Sequence, residues 1–183
     1  EDANFLIQNK SYEFFDDYLK NQFSKKKVTI KNSNFFFQDK NNKTISIFPI
    51  KKINLFYDEE ELVNKMIAKG KFFKIPFNIE WNKNFEKDAK SVTLIKLKKL
   101  DLEIKNKSFI KDKKYFARNN IFFRNAKLYS NFKIQNNLIS FNSEDSKIVN
   151  NNLDYNGEIY LEPFDMKLEI NLDKLNLIKF LTS

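Results

Sequence analysis

The chain has 183 residues, of which 42% are hydrophobic and 31% charged, and its formal net charge at pH 7 is +9. It contains no histidine and no cysteine, which removes the commonest general base, metal ligand and thiol nucleophile. Two glycines in the whole chain cannot form a Gly-rich phosphate loop. A chain of this length can bury a real core. We therefore predict a folded protein that is not an enzyme and uses neither a cofactor nor a metal.

The positive charge is spread along the chain and is interleaved with Asp and Glu. Only Lys25-Lys26-Lys27 and the stretch 111–114 form clusters, so a solvated surface explains most of the lysines. A nucleic-acid binder would need them gathered on one face beside exposed aromatic side chains, and we rank that function third. No apolar run approaches the ~20 residues that span a bilayer. The opening Glu1-Asp2-Ala3 shows no signal peptide, and we expect the chain to be a fragment of a longer protein.

The first predicted element is an N-terminal amphipathic helix, which defines region 1–27. From residue 4 to residue 23 apolar side chains recur at helical spacing, notably Phe15, Leu19 and Phe23. The lysines that follow suit the negative end of a helix.

The spacing then changes to period two, which predicts a first β unit over 28–106. Pro49 indicates an edge or a bend, and Asp58-Glu59-Glu60-Glu61 predicts a short helical turn before a strand that reaches Phe73. Val92 to Ile104 is predicted to be one long strand. Its apolar residues change parity at Lys98-Lys99, which favours a β-bulge.

A second β unit is predicted over 107–183, after a charged loop from Asn106 to Lys114. Its clearest strand alternates from Phe164 to Leu172. With glycine so rare, asparagine pairs such as Asn41-Asn42 and Asn136-Asn137 are expected to form the turns.

The two glycines fall in matching frames, which predicts that the two β units are repeats. Gly70 precedes Pro76-Phe77 as Gly157 precedes Pro163-Phe164, with the same interval between both pairs. We interpret each glycine as a bend and each proline as a strand start. Ile121 to Ala126 is similar to Ile30 to Ser33, the start of the first unit.

Ile30 to Asp39 reads Ile-Lys-Asn-Ser-x-Phe-x-Phe-x-Asp, and Ile53-Asn54-Leu55 and the Gly70 frame follow it. Together with the closing stretch Leu172 to Leu177, this succession resembles the AsmA/TamB-like proteins of Gram-negative bacteria. The resemblance implies a periplasmic protein anchored to the inner membrane by a segment absent from this chain. It also implies repeated antiparallel sheet curled into a groove that conducts lipids toward the outer membrane. The implied partners are phospholipid or another lipid, flanking repeats of the same protein, and membrane proteins.

The fold class predicted is therefore mainly β, an antiparallel curved sheet or groove, taco-like or sandwich-like, behind an N-terminal helix. Each strand offers one apolar row, which must be covered by another sheet, by the Phe15/Leu19/Phe23 helix or by acyl chains. Two functions remain open: a groove for lipid acyl chains with lysines at its rim, and a structural or protein-interaction domain with a closed core. The candidate groove residues are Phe77, Ile79, Trp81, Leu100, Leu102, Ile104, Leu128, Phe132, Ile134, Phe164, Met166, Leu168, Ile170 and Leu172.

Overall fold

The computed structural model describes residues 2–7, 21–38, 44–84, 90–111, 114–135, 137–161 and 164–172. Strands occupy most of these residues, so the mainly β prediction is confirmed, and none of the residues described forms an α-helix. A 3₁₀ helix covers Lys98–Leu100. The strands are β1 (Asp2–Ile7), β2 (Val28–Gln38), β3 (Thr44–Asp58), β4 (Val63–Phe72), β5 (Ile75–Asn84), β6 (Ser91–Leu97), β7 (Leu102–Lys111), β8 (Lys114–Phe123), β9 (Ala126–Gln135), β10 (Leu138–Ser143), β11 (Lys147–Ile148), β12 (Asn151–Leu161) and β13 (Phe164–Leu172).

The chain divides into two compact units, Glu1–Phe85 and Glu86–Ser183. In the first unit β1 to β5 pair in chain order, and all pairs are antiparallel except β1 with β2. In the second unit β6 to β10 pair antiparallel in chain order. β12 then pairs with β10 and β13, while the short β11 pairs with β9 and β12. The predicted antiparallel pairing is thus confirmed for every strand pair named here but the first.

The predicted N-terminal helix is wrong where the structure describes it. Residues 4–7 belong to β1, which lies parallel to β2 with Leu6 beside Phe36 and Ile7 beside Phe37. Pairing with the edge of β2 provides hydrogen-bond partners for the backbone of this segment. These tertiary contacts outweigh the helical spacing of its apolar residues. Residues 8–20 of the predicted helix lie outside the described residues. Asn21 to Lys27 has neither helix nor strand.

The long strand predicted from Val92 to Ile104 is two strands, and the predicted bulge is a hairpin. β6 and β7 pair antiparallel, with Ile95 opposite Ile104 and Leu97 opposite Leu102. Lys98 to Asp101 makes the turn, and Asp101 adopts a left-handed φ of 50°. Chain reversal over a four-residue connection pairs odd positions with even ones, which explains the change of parity without an extra residue.

The charged loop predicted from Asn106 to Lys114 is also wrong. β7 continues to Lys111 and β8 begins at Lys114, and the rings of Phe109 and Phe116 stack at 5.3 Å across the pair. Lys105 and Lys107 occupy alternate positions of β7, so the charges form one side of a strand.

A turn after Asp58 and a bend near Pro49 are both found as predicted, but the turn is not helical. Residues 59–62 form the turn that leads into β4, and Asp58 Oδ1 accepts hydrogen bonds from the amide nitrogens of Glu60 and Glu61. Pro49 lies directly before a register shift between Ile50 and Lys52, which agrees with the predicted bend.

The two glycine frames differ in register, so the predicted repeat is not seen at these positions. Gly70 lies inside β4 opposite Phe77, whereas Gly157 lies inside β12 opposite Leu168. Neither glycine has a positive φ, so neither is a bend. The second similarity fails in the same way: Asn32 lies inside β2 with a φ of 48°, but Arg124-Asn125 is a hairpin turn.

None of the residues with a left-handed backbone conformation in the described part of the chain is a glycine, and only one of them is an asparagine. The residues with positive φ are Asn32, Leu62, Phe73, Lys74, Asp101, Arg124, Asp145 and Val149.

Candidate functional site

Most large apolar side chains of the second unit share one side of its sheet, since residues paired across neighbouring strands point to the same side. One complete row runs Ile95, Ile104, Ile121, Leu128, and a parallel row runs Leu97, Leu102, Phe123, Ala126. We call this side the apolar face of the second unit. Its other large members are Ile110, Tyr115, Phe132, Ile134, Ile139, Phe141, Leu153, Tyr155, Ile159, Met166, Leu168, Ile170 and Leu172.

This apolar face is not sealed by the described part of the chain. Only small side chains and Leu153 are fully buried on it, Ala126 being 3% exposed. Most of the larger side chains are half-buried. At the β13 end Met166 is 53% exposed, Leu168 47% and Ile170 62%. High exposure is thus found at β13 and also at Ile110 of β7, which is 52% exposed.

A polar stripe crosses the apolar face, and it was not predicted. Thr93, Asn106, Asn119 and Ser130 lie in one cross-strand row, and Asn106 Nδ2 donates to Asn119 Oδ1 at 2.6 Å. The two asparagine side chains therefore satisfy each other instead of facing hydrocarbon alone. The signal in the sequence was Asn106 and Asn119, each two positions from an isoleucine of the apolar row.

The next row continues this polar character on β6 and β7. The hydroxyl oxygens of Ser91 and Ser108 lie 2.6 Å apart, and Ser108 is 3% exposed. Farther along the same row stand Phe132 and Phe141, whose rings stack at 5.4 Å. Beyond the stripe the face is again apolar, with Phe132 and Phe141 in this row and Ile110, Tyr115, Ile134 and Ile139 in the next.

The first unit has its own apolar face, which is better covered. Phe77, Ile79 and Trp81 of β5 share this face with Gly70, Ala68 and Met66 of β4. Ile50, Ile53, Ala68 and Phe77 are each less than 9% exposed.

Phe23 covers one end of that face. It is 7% exposed, and its ring centroid lies 6.1 Å from that of Trp81. The buried Asn64 side chain fixes the segment by accepting from the Phe23 amide nitrogen and donating to the Asn21 carbonyl. Phe23 therefore covers part of this face from a segment that is not helical, and Phe15 and Leu19 lie outside the described residues.

The candidate groove residues are divided between the two units. Phe77, Ile79 and Trp81 belong to the first apolar face. Leu100 does not join either face, because it lies in the 3₁₀ helix and is 37% exposed. Phe164 is placed only by register, opposite Leu161. The candidates on the apolar face of the second unit are Leu102, Ile104, Leu128, Phe132, Ile134, Met166, Leu168, Ile170 and Leu172.

The opposite side of the second sheet is mainly polar and carries the basic residues, together with Phe109, Phe116 and Phe122. Lys107, Arg118 and Asn131 form a cross-strand row there, and Arg118 Nη2 lies 2.8 Å from Glu144 Oε2. Tyr160 donates to Glu158 at 3.0 Å, and this hydrogen bond raises the pKa of the phenol. These lysines face away from the apolar rows instead of rimming them.

A depression of about 590 Å³ lies on this polar side. Asn131, Asn142 and Asn156 form a row across its floor, and Lys133, Lys167, Glu158 and Glu169 also line it. Phe116, Phe132 and Phe141 line it as well, so the depression combines charged, polar and aromatic residues.

Within the described ranges no group of three or more acidic side chains could hold a metal ion. No helix in that part of the chain is long and apolar enough to cross a bilayer. Comparison with known proteins finds no match to a family model, to a curated protein or to a solved structure.

Proposed function

We propose that the protein is a non-enzymatic β-sheet protein that binds or conducts lipid acyl chains on its apolar faces. The observation that carries this proposal is the exposure of Met166, Leu168 and Ile170 at one end of the apolar face of the second unit. Fully burying such a side chain stabilises a protein by roughly 1.5–3 kcal/mol. A hydrocarbon chain lying along the rows would supply part of that burial.

The setting proposed for this activity is the envelope of a Gram-negative bacterium, between the inner and outer membranes. It follows from the likeness of Ile30 to Asp39 and of the glycine frames to AsmA/TamB-like proteins. In this proposal the sheet is curved into a groove, the protein is periplasmic, and a segment outside this chain anchors it to the inner membrane. Phospholipid is the proposed ligand, and flanking β repeats and membrane proteins are the proposed partners.

Lipid extraction and native mass spectrometry of protein purified from the periplasm of a Gram-negative host would test the proposal. A photo-crosslinking amino acid at Phe132 would report contact with lipid on the apolar face. Lys133, the next residue in β9, points to the polar side and provides the matched control. We expect a lipid adduct at position 132 and none at position 133. Protein without co-purifying lipid and without an adduct at either position would overturn the proposal.

A second function is supported by the covered face of the first unit. Phe23 and Asn64 close one end of that face from within the chain, as expected for a structural or protein-interaction domain with a closed core. In that case Phe132 and Lys133 crosslinkers would give no lipid adduct. A crosslinker at Lys133 or Asn142 would then capture protein from the envelope.

A further inference from the structure

β13 is the last described strand of the second unit, and it is exposed along most of its length. β13 pairs with β12 along its whole length, from Phe164 opposite Leu161 to Leu172 opposite Leu153. Among the described residues no strand pairs with its other side. Every residue from Asp165 to Asn171 is exposed.

An edge of this kind offers a row of backbone donors and acceptors to another strand. Natural sheets usually protect such edges with proline, bulges or several lysines. β13 contains no proline, its pairing with β12 has no register shift, and Lys167 is its single lysine. The edge is therefore open to strand addition.

We propose that β13 pairs antiparallel with β13 of a second copy of this chain, centred on Leu168. This register uses all nine residues of the strand. It places Lys167 of each copy opposite Glu169 of the other, so that two opposite-charge pairs form on the polar side. On the apolar side Met166 lies opposite Ile170 twice, and the two Leu168 side chains meet at the symmetry axis.

Neighbouring registers are disfavoured by charge. Centring the pair on Lys167 would set Lys167 opposite itself and Asp165 opposite Glu169. Centring it on Glu169 would set Glu169 opposite itself. Like charges directly opposite each other destabilise a strand pair, so the sequence of β13 selects the register centred on Leu168.

The resulting interface is isologous, with the same strand contributed by each copy. It brings together the exposed rows of two apolar faces, because an antiparallel strand pair keeps even positions on one side. The dimer does not depend on lipid binding, and it would stand if the proposed function failed.

Sedimentation equilibrium of the full chain tests the pairing. We expect a dimer, and we expect Leu168→Lys to weaken it at least tenfold, because two ammonium groups would meet at the axis. Ile110→Lys is the matched control, since Ile110 is on the same face and 52% exposed but belongs to β7, away from the edge. Circular dichroism of both variants shows whether the sheet is retained.

Complementary charge reversal separates the interface from effects on the fold. Lys167→Glu and Glu169→Lys should each weaken self-association about tenfold, because each places like charges opposite each other twice. Mixing the two variants should restore dimers. In the mixed dimer the introduced glutamate of one variant faces the introduced lysine of the other, and the unchanged Glu169 and Lys167 face each other in the second pair.

Three outcomes would overturn the proposed pairing. The first is a wild-type chain that stays monomeric at its highest soluble concentration. The second is a dimer that Leu168→Lys leaves unchanged, and the third is a pair of charge-reversed variants that fail to recombine.

Discussion

Asn64 holds the backbone of Phe23 over the apolar face of the first unit. Its Oδ1 accepts from the Phe23 amide nitrogen at 2.8 Å, and its Nδ2 donates to the Asn21 carbonyl at 2.7 Å. Asn64 is fully buried. Both groups of the amide are thus used to join the segment before β2 to β4, and the position of Phe23 against Trp81 depends on them.

We expect Asn64→Ala to lower the free energy of unfolding by about 1–3 kcal/mol, since it removes the buried hydrogen bond to the Phe23 amide and the hydrogen bond to the Asn21 carbonyl. Urea denaturation measures the change. Trp81 is the chain's single tryptophan, so its emission should shift to the red as Phe23 leaves its ring. Asn142→Ala, at an exposed position of β10, serves as control and should change neither quantity. An unshifted spectrum in Asn64→Ala would contradict the role given to this side chain.

The β4–β5 hairpin predicts a stabilising substitution. Phe73 and Lys74 form its two-residue turn with φ values of 45° and 66°, the signs required by a type I′ turn. Left-handed backbone costs an ordinary residue about 1–2 kcal/mol. Replacing Phe73-Lys74 with Asn-Gly should therefore raise the free energy of unfolding by about 1–2 kcal/mol, as measured by urea denaturation.

Phe73→Ala alone separates turn strain from side-chain loss. Alanine keeps the strained backbone and removes the contact between the Phe72 and Phe73 rings, whose centroids lie 4.5 Å apart. This variant should gain no stability. If it were as stable as the Asn-Gly variant, the exposed ring and not the turn would be the source of the gain.

Gly70 is required by close packing and not by its dihedral angles. A Cβ added there would lie 2.7 Å from Cζ of Phe77, its cross-strand partner, and 2.5 Å from the carbonyl oxygen of Pro49. Alanine normally stabilises a strand interior relative to glycine by roughly 0.5–1 kcal/mol. Here Gly70→Ala should instead destabilise the protein by about 1–3 kcal/mol, because the clash forces neighbouring atoms apart.

Thermal or urea unfolding of Gly70→Ala shows directly whether the substitution stabilises or destabilises the protein. Combining it with Phe77→Leu should recover part of the loss, since the shorter side chain leaves the space above position 70. Gly157 has the same arrangement, in which an added Cβ would lie 2.7 Å from Cζ of Phe141. Gly157→Ala should therefore be destabilising too. A stabilising effect at either glycine would contradict this packing argument.

The alternation of apolar and polar residues predicted the strand content and the apolar faces well. Successive side chains of a strand point to opposite sides of the sheet, so the sequence alone shows which residues share a side. Ile104 and Leu128, for example, were selected by parity and share one row. The same pattern carries no information on where a chain reverses. Leu97 is an odd position and Leu102 an even one. Both a β-bulge and a four-residue hairpin turn place an odd and an even position on the same side of the sheet, so the sequence pattern does not distinguish the two structures.

The errors elsewhere have a common physical origin in tertiary contacts. The role of Gly70 depends on Phe77 and on the Pro49 carbonyl, neither of which a dihedral argument includes. The polar stripe through Asn106 and Asn119 depends on the pairing of β7 with β8. The sequence pattern predicts a loop where these two strands meet. Burial and register decide both features, and neither can be read from a single segment.

Stability should fall in acid through the ion pairs at the turn before β4. Lys65 Nζ lies 2.7 Å from Asp58 Oδ2 and 2.7 Å from Glu61 Oε1. The hydrogen bond from Lys65, aided by the backbone amide of Glu61, holds the pKa of Asp58 below its ordinary value of 3.8. A lowered pKa in the folded state contributes stability that is present above the unfolded value and is lost as the pH falls through the folded one.

Asp58→Asn keeps an oxygen that can accept from the Glu60 and Glu61 amides but removes the charge. We expect its melting temperature to be below that of the wild type at neutral pH, with the difference closing as the pH falls below 3.8. Asp154→Asn, at an exposed position opposite Asn171, also removes one negative charge and is measured over the same pH range as the control. A gap for Asp58→Asn that stays constant down to the lowest pH would assign the effect to the shape of the turn instead of to its charge.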